Sequence, residues 1–132
     1  MKLIQPKKLE VRDSSIHGYG VFATDDIKKD EIIEDCYIIK IPLKKGFLPH
    51  LFMDYKFKWK TESGDIEQVL PLGYGCIYNH SDNYNATWRQ ILDKKIIQFY
   101  AVKDIKKGEE VLHWYGNKKY WETKLKIKNI TK

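Results

Sequence analysis

The sequence predicts a single domain that is mainly β, with only a few short helices. Residues with β-branched and aromatic side chains occur in short runs separated by Gly, Pro, Asp, Asn and Ser, which is the pattern of strands and turns. The first clear runs are Ile32–Ile33 and Tyr37–Ile41, and Pro42 ends the second. A chain of 132 residues supports one hydrophobic core and is too short for two. We therefore expect one domain that spans residues 1–132.

Two β-hairpins are predicted in the middle of the chain. Lys56–Lys60 alternates strictly between lysine and aromatic residues, and Ile66–Leu70 follows it across a short loop that contains glycine. Ala86–Leu92 and Ile96–Val102 flank a turn at residues 93–95 and form the second pair.

Helix and tail segments take up little of the sequence. The residues after Pro49 and the segment from Asn117 to about Lys124 are the most helix-like, and both are short. Residues 124–132 alternate Lys and Ile with few other features. A frayed C-terminal tail is expected there.

One segment of the chain is nearly repeated. Ala23–Ile33 resembles Ala101–Val111, and each copy carries a cluster of Asp, Lys and Gly or Asp at its centre. This composition predicts a strand, a tight turn and a second strand in each copy. Two copies are too few for a repeat protein, so the pattern indicates either two similar connections in one sheet assembly or coincidence.

The net charge of +6 comes almost wholly from lysine, since Arg12 and Arg89 are the only arginines. Dispersed lysines indicate a solvated surface, because an ammonium group lacks the rigid fork with which arginine binds phosphate. The two cysteines, Cys36 and Cys76, lie far apart in apolar surroundings, and no spacing typical of a metal site occurs. They are interpreted as small buried residues in a reducing compartment. The sequence has no apolar segment typical of a signal peptide or a membrane span, so a soluble intracellular protein is expected.

Three motifs carry candidate chemistry. The first is His17–Gly20, in which two glycines flank Tyr19 and allow a sharp bend and a close approach of the backbone to a ligand. A plain glycine-rich turn is the alternative.

The second motif is Leu72–Asn85. An apolar strand with two glycines is predicted to lead Asn79 and His80 into a polar loop. An Asn amide both donates and accepts, which suits an adenine edge or an amino-acid carboxylate. The alternative to ligand binding for His80 is a purely structural role. A serine hydrolase is disfavoured because no G-x-S-x-G turn is present.

The third motif is Glu109–Gly116, which brings Tyr115 to the end of an apolar strand directly before a glycine. Such a tyrosine is either a core residue whose hydroxyl has one partner or a group that aligns a reacting amine.

In this order the three motifs resemble the conserved pattern of the SET domain. Gly18–Gly20 is similar to its Gly-aromatic-Gly turn, Asn79–Ser81 to its Asn-His-Ser segment, and Gly108–Gly116 to its last strand with the catalytic tyrosine. The resemblance covers about residues 12–121 and is closest to short virus-encoded and stand-alone SET proteins without flanking zinc-binding segments. It implies a β-clip-like fold with small sheets and a knot-like C-terminal strand.

The resemblance also implies a function, an S-adenosyl-L-methionine-dependent protein-lysine N-methyltransferase that acts on histone tails of the H3 type. Cofactor and peptide would bind on opposite faces, joined by an aromatic channel. Tyr115 would be the catalytic residue. The implied cofactor contacts are His17, Gly18, Tyr19, Asn79, His80 and Trp121. The implied channel residues are Tyr19, Tyr55, His113 and Tyr115.

Two positions depart from the family pattern. Trp114 stands where Asp often precedes the catalytic tyrosine, and His113 stands where Phe or Tyr sets the number of methyl groups. The degree of methylation is therefore open. Since no zinc-binding segment completes the adenine pocket, Tyr120 and Trp121 are the candidates to supply that wall, and plain core packing is the alternative for Trp121.

Partners and alternatives follow from the same features. A lysine-containing peptide would bind as an added strand at a sheet edge. The protein would contact nucleic acid only indirectly, through chromatin. The expected location is the nucleus of a eukaryotic cell or of a host cell. The missing flanking segments suggest a homodimer. Two other functions stay open: a small basic nucleic-acid-binding protein, favoured by the aromatic–lysine alternation of Tyr55–Lys60, and a catalytically inactive SET-like binding module.

Overall fold

The computed structural model describes residues 3–41 and 55–116, and within these ranges the chain forms nine β-strands. They are β1 Leu9–Asp13, β2 Tyr19–Ala23, β3 Ile32–Ile41, β4 Phe57–Lys60, β5 Ile66–Pro71, β6 Asn79–His80, β7 Ala86–Ile91, β8 Ile96–Ala101 and β9 Glu110–His113. The mainly β fold class is confirmed. The predicted helices, the C-terminal tail, Tyr120 and Trp121 lie outside the described residues.

The strands form two sheets that share one core. One sheet has the order β4-β5-β3-β8-β7, and all its neighbours are antiparallel. The other has the order β1-β2-β9-β6. In it β9 runs antiparallel to β2 and parallel to β6. The last described strand therefore lies between strands from the beginning and the middle of the chain, which brings the three sequence motifs to one sheet.

Both predicted hairpins are confirmed. β4 pairs with β5 and β7 pairs with β8, and the bounds differ from the prediction by one residue. The two predicted runs before Pro42 are a single strand, β3, with a register shift between Ile32 and Glu34. The strand β1 was not predicted, because Leu9 and Val11 are the only apolar residues of Leu9–Asp13 and the alternation is too short to indicate a strand.

The predicted apolar strand before Asn79 is wrong. Residues 73–77 form turns, and only Asn79 and His80 are in a strand. Two glycines explain the turns. Gly73 has a positive φ of 73°, and a Cβ there would stand 2.3 Å from Glu34 Oε2. A Cβ on Gly75 would meet the Pro71 ring at 2.6 Å. The glycines therefore allow close packing of a turn, which local hydrophobicity does not reveal.

The repeated segments pair with each other about a pseudo-twofold axis. Ile27 and Ile105 exchange two main-chain hydrogen bonds, of 2.7 and 2.8 Å. The side chains are symmetric as well, since the main-chain N–H groups of Lys29 and Lys107 donate to Asp104 and Asp26 at 2.8 and 2.9 Å. We call residues 23–31 and 101–109 the clasp. The prediction of two similar connections in one sheet assembly is confirmed, and coincidence is excluded by the reciprocal pairing.

The hydrophobic core explains the aromatic–lysine alternation in β4. Phe57 and Trp59 are 7% and 3% exposed and pack in the main hydrophobic cluster, while Lys58 and Lys60 point outward. These rings are therefore unavailable for stacking on bases, and the feature that favoured a nucleic-acid-binding protein is accounted for by burial.

Two features are absent from the described residues, a membrane-spanning helix and a metal-binding cluster. Within 3–41 and 55–116, no helix has the length and apolar character to cross a membrane. The same ranges contain no group of three or more His, Cys, Asp or Glu side chains placed to hold a metal ion.

Candidate active site

Asn79 joins the first and second motifs. Its side chain is fully buried, and Nδ2 donates to the main-chain oxygens of His17 at 2.9 Å and Tyr19 at 3.0 Å. These two carbonyls belong to the glycine-rich turn, where Gly18 adopts a positive φ of 47°. The amide of Asn79 therefore holds the turn in place against β6.

Glu110 extends this cluster to the third motif. Its Oε2 lies 2.9 Å from Asn79 Nδ2, whose two hydrogens are thus shared among three acceptors, and its Oε1 accepts from the Ser14 hydroxyl at 2.7 Å. A Cβ on Gly20 would stand 2.4 Å from Glu110 Oε2, so this glycine leaves room for the carboxylate. The result is a group of main-chain and carboxylate oxygens at the meeting point of β2, β6 and β9.

His80 connects the second motif to the main chain of Tyr115. Its Nδ1 accepts from the Tyr115 N–H at 2.9 Å, and its Nε2 lies 3.2 Å from Asp82 Oδ1. Burial lowers the pKa of His80 below its ordinary value, and Asp82 partly offsets that shift. The imidazole is therefore neutral at neutral pH and is engaged with protein atoms on both nitrogens.

The Tyr115 hydroxyl donates a short hydrogen bond to the main-chain oxygen of Tyr78, the residue before Asn79. Its ring packs against His80 and His113, with ring centroids at 5.3 and 4.9 Å. Burial raises the pKa of the Tyr115 hydroxyl far above its ordinary value. The phenol is thus neutral, and its hydroxyl is directed at the main chain just before β6.

A buried carboxyl lies beneath this site. Glu34 on β3 is 2% exposed, and its two oxygens accept from the Tyr78 hydroxyl at 2.7 Å and the Tyr74 N–H at 3.0 Å. Desolvation raises the pKa of Glu34, and the two hydrogen bonds oppose that shift. Glu34 anchors the turn whose main-chain oxygen receives the Tyr115 hydroxyl.

The other predicted site residues are distributed around this centre. Tyr19 is 47% exposed at the start of β2. His113 is 5% exposed and contacts the rings of Phe57, Phe99 and Tyr115. Tyr55 is half-buried, and its main-chain oxygen accepts from the Cys76 thiol at 3.7 Å. Trp114 is 54% exposed. The structure therefore joins His17, Tyr19 and Asn79 by hydrogen bonds, and His80, Tyr115 and His113 by a hydrogen bond and ring contacts. The two groups adjoin because Asn79 and His80 are consecutive residues of β6.

Sequence comparison identifies the family of the chain, since residues 18–116 match the SET domain. The chain belongs to the SET-domain family. A curated relative, the H3 lysine-37-specific histone-lysine N-methyltransferase of Schizosaccharomyces pombe, is 29% identical over 118 residues, which are 86% of this chain and 77% of the relative. Together these matches support protein-lysine methyltransferase activity for this SET protein.

Solved structures show the same SET fold. A crystal structure of a candidate histone methyltransferase from Plasmodium falciparum superposes with a TM-score of 0.69 at 37% identity, covering 86% of this chain and 96% of that one. A humanized mutant of the Chaetomium thermophilum Polycomb Repressive Complex 2, bound to the inhibitor GSK126, gives 0.66 at 25% identity, covering 84% of this chain and 15% of that chain. The methyltransferase domain of human PR domain-containing protein 2, at 19% identity and 0.61, supports the fold alone.

Four residues that contact the candidate site residues are not identified by the sequence: Glu110, Ser14, Tyr78 and Glu34. Only the Glu110 position carried a local signal, the Gly-Glu-Glu turn before a strand. The others become neighbours through pairing between residues 37 to 96 positions apart.

Proposed function

We propose that this SET protein transfers a methyl group from S-adenosylmethionine to the Nε of a lysine in a protein substrate. The observation that carries the proposal is the meeting of three distant motifs: Asn79 fixes the turn at His17 and Tyr19, and Tyr115 is held by Tyr78 and His80. A network of this kind fixes groups before a ligand arrives, which suits a reaction in which alignment provides much of the rate.

The oxygen atoms around the candidate site fit a cationic cofactor. The main-chain oxygens of His17, Tyr19 and Tyr78 and the carboxylate of Glu110 place partial and full negative charge around the motif junction. S-adenosylmethionine carries a sulfonium and an ammonium group, and when bound it supplies an electrophilic methyl. The proposed contacts are His17, Gly18, Tyr19, Asn79, His80 and Trp121, of which Trp121 lies outside the described residues.

Tyr115 is proposed to align the lysine amine and not to remove its proton. Because burial raises the pKa of its hydroxyl, the phenol keeps its proton and acts as a hydrogen-bonding group. The amine must arrive neutral against a reference pKa of about 10.4, and a desolvated aromatic environment favours that form. Tyr19, Tyr55 and His113 are the proposed ring neighbours of the substrate.

The proposed substrate is a histone tail of the H3 type. The fission-yeast relative is described as specific for H3 lysine 37, which supports a histone substrate and a nuclear location for this chain. The lysine is not assigned. A homodimer, suggested by the small size of the chain, is retained as a hypothesis; sedimentation should then give twice the chain mass of 15.7 kDa, and a monomeric mass would remove it.

Two measurements test the proposed function. Calorimetric titration with S-adenosylmethionine should show binding, and mass spectrometry of core histones incubated with protein and cofactor should show methylated lysine. Tyr115→Phe should lower the methylation rate by roughly 100-fold or more, on the scale of other aligned catalytic groups, while it retains most of the cofactor affinity. Tyr37→Phe is the matched control, because Tyr37 is 55% exposed on β3. Equal rates for the two variants would remove Tyr115 from the site.

A further inference from the structure

We propose that Asp82 is a positioning residue: its carboxylate holds His80 as the Nε2–H tautomer and thereby fixes the main chain at Tyr115. Asp82 lies in the loop after β6, outside the three residues of the Asn-His-Ser segment. The consequence for methyl transfer rests on the proposed function, whereas the assignment of the tautomer does not.

The two ring nitrogens of His80 need different protonation states. The main-chain N–H of Tyr115 can only donate, so Nδ1, at 2.9 Å, must be the bare nitrogen with a lone pair. A neutral imidazole then carries its proton on Nε2, and that N–H donates to Asp82 Oδ1 at 3.2 Å. A carboxylate can only accept, so Asp82 stabilises this tautomer and disfavours the other one.

The loop presents Asp82 in a defined place although its side chain is 83% exposed. Ser81 N–H donates to the main-chain oxygen of His113 at 3.2 Å, and its hydroxyl accepts from the Asn83 N–H at 3.0 Å. Lys103 Nζ donates to Asn83 Oδ1 at 2.7 Å and ties the loop to the β8–β9 connection. The loop is therefore bonded on both sides of Asp82.

The other titratable groups described around His80 come from β9 and the residues after it. His113 is paired with His80 across the parallel β6–β9 ladder, and the ring of Tyr115 lies 5.3 Å away. The Asp82 carboxylate contacts the imidazole directly, with Oδ1 at 3.2 Å from Nε2. Its negative charge therefore favours a proton on Nε2, the ring nitrogen that faces it.

Protonation of His80 would disrupt the arrangement. A proton on Nδ1 would face the N–H of Tyr115, so two donors would oppose each other at a distance suited to a hydrogen bond. The Tyr115 main chain would have to move, and the hydroxyl that points to Tyr78 would move with it. Neutral His80 in one tautomer is thus a condition for the described position of Tyr115.

The first test is nitrogen-15 NMR of the whole chain, which reads the tautomer and titration of His80 directly. The wild type should show one tautomer, with the proton on Nε2. Asp82→Ala leaves the Tyr115 N–H in favour of the Nε2–H tautomer, so the variant should show a minor Nδ1–H population in which the Tyr115 hydrogen bond is broken. It should also show a lower pKa of His80, because the charge that favours the imidazolium is removed. Asp82→Asn should keep the tautomer, since its side-chain oxygen still accepts, and should also lower the pKa. A wild-type Nδ1–H tautomer, or no change in Asp82→Ala, would overturn the assignment.

The second test measures catalysis with a histone H3 peptide. Asp82→Ala should lower kcat by roughly 3- to 10-fold, the scale of one hydrogen bond, with little change in peptide KM, and Asp82→Asn should restore most of the rate. Asp93→Ala, at an exposed residue of the β7–β8 turn, is the matched control. An unchanged kcat despite a mixed tautomer would overturn the positioning role. If the wild type has the Nε2–H tautomer but methylates no peptide or histone, the proposed function fails and the tautomer assignment stands.

Discussion

Gly20 shows how one missing side chain shapes the candidate site. Its Cα faces Glu110 so closely that an added Cβ would stand 2.4 Å from Oε2 and 3.1 Å from the Ser14 Cβ. Distances under about 3 Å are not found for real Cβ atoms, so the carboxylate would have to move. Asn79, which donates to the same oxygen, would lose that partner.

We therefore expect Gly20→Ala to weaken S-adenosylmethionine binding by about 10-fold, equivalent to about 1.4 kcal/mol. Calorimetric titration measures the change. Gly64→Ala is the control: nothing lies within 4 Å of its Cβ position, and its φ of 91° makes the substitution strained but remote from the site. It should lower stability by roughly 1 kcal/mol and leave the cofactor affinity unchanged. Equal affinities in the two variants would contradict the role given to Gly20.

Glu34 links the site to the pH dependence of stability. Because burial raises its pKa, the folded chain binds the Glu34 proton more tightly than the unfolded chain does. The contribution to stability is therefore fully present below the ordinary carboxyl pKa and declines as the pH rises toward the folded-state value. Above that range an ionised carboxylate is buried, and its hydrogen bonds from Tyr74, Tyr78 and Cys36 only partly offset the cost of desolvation.

Glu34→Gln should remove this dependence. Urea denaturation at about pH 4 and about pH 8 should show that the variant gains stability relative to wild type at the higher pH. Glu62→Gln, on an exposed loop position, should track the wild type at both pH values. A constant difference between wild type and Glu34→Gln would show that Glu34 has the same pKa in both states.

At the level of elements, the hairpins and the clasp differ in how they can be predicted. The hairpins are local: β4 and β5 alternate inside and outside, and five residues join them. The sequence shows the two halves of the clasp as a repeat, but it does not show that they pair with each other. That pairing joins residues 75 to 81 positions apart. Sequence periodicity reports the face of a strand and does not report which distant strand covers it.

The symmetry of the clasp predicts matched effects. Asp26→Ala and Asp104→Ala each remove one acceptor for a main-chain N–H of the other copy, at 2.9 and 2.8 Å. Each substitution should lower the free energy of unfolding by about 1 kcal/mol, and the two values should agree within about 0.5 kcal/mol. Chemical denaturation measures both, with Asp93→Ala as a surface control. A large loss in one variant alone would show that the two halves are not equivalent.

For the whole molecule, charge distinguishes the competing functions. The net charge is +6, and at least three of the six acidic residues between positions 25 and 35 are engaged within the fold. Glu34 is buried, Asp35 accepts from the Ile4 N–H and the Gln98 amide, and Asp26 is used in the clasp. A basic peptide would therefore be held mainly by its main chain at a sheet edge.

Salt should consequently have little effect on substrate binding. We expect the KM for a lysine-containing histone peptide to change by less than roughly threefold between about 0.05 and 0.2 M salt. A nucleic-acid-binding protein would instead lose affinity for single-stranded DNA steeply over the same range. Steady-state kinetics and fluorescence anisotropy measure the two. Tight DNA binding with a steep salt slope and no peptide turnover would reverse the assignment.

The sequence by itself determined the strand-rich class, both hairpins and the family, because these depend on local alternation, turn residues and the order of short motifs. Only the tertiary structure decided which atoms of those motifs meet. It turned residues 73–77 of the predicted strand into glycine turns, placed Glu34 under Tyr78, and used both nitrogens of His80 for Tyr115 and Asp82. The physical reason is that a hydrogen bond is defined within a few tenths of an ångström, while a sequence pattern fixes only which side of a strand a residue faces. The insertion of β9 between β2 and β6 sets those distances, and it brings together strands that lie between residues 19 and 113 of the sequence.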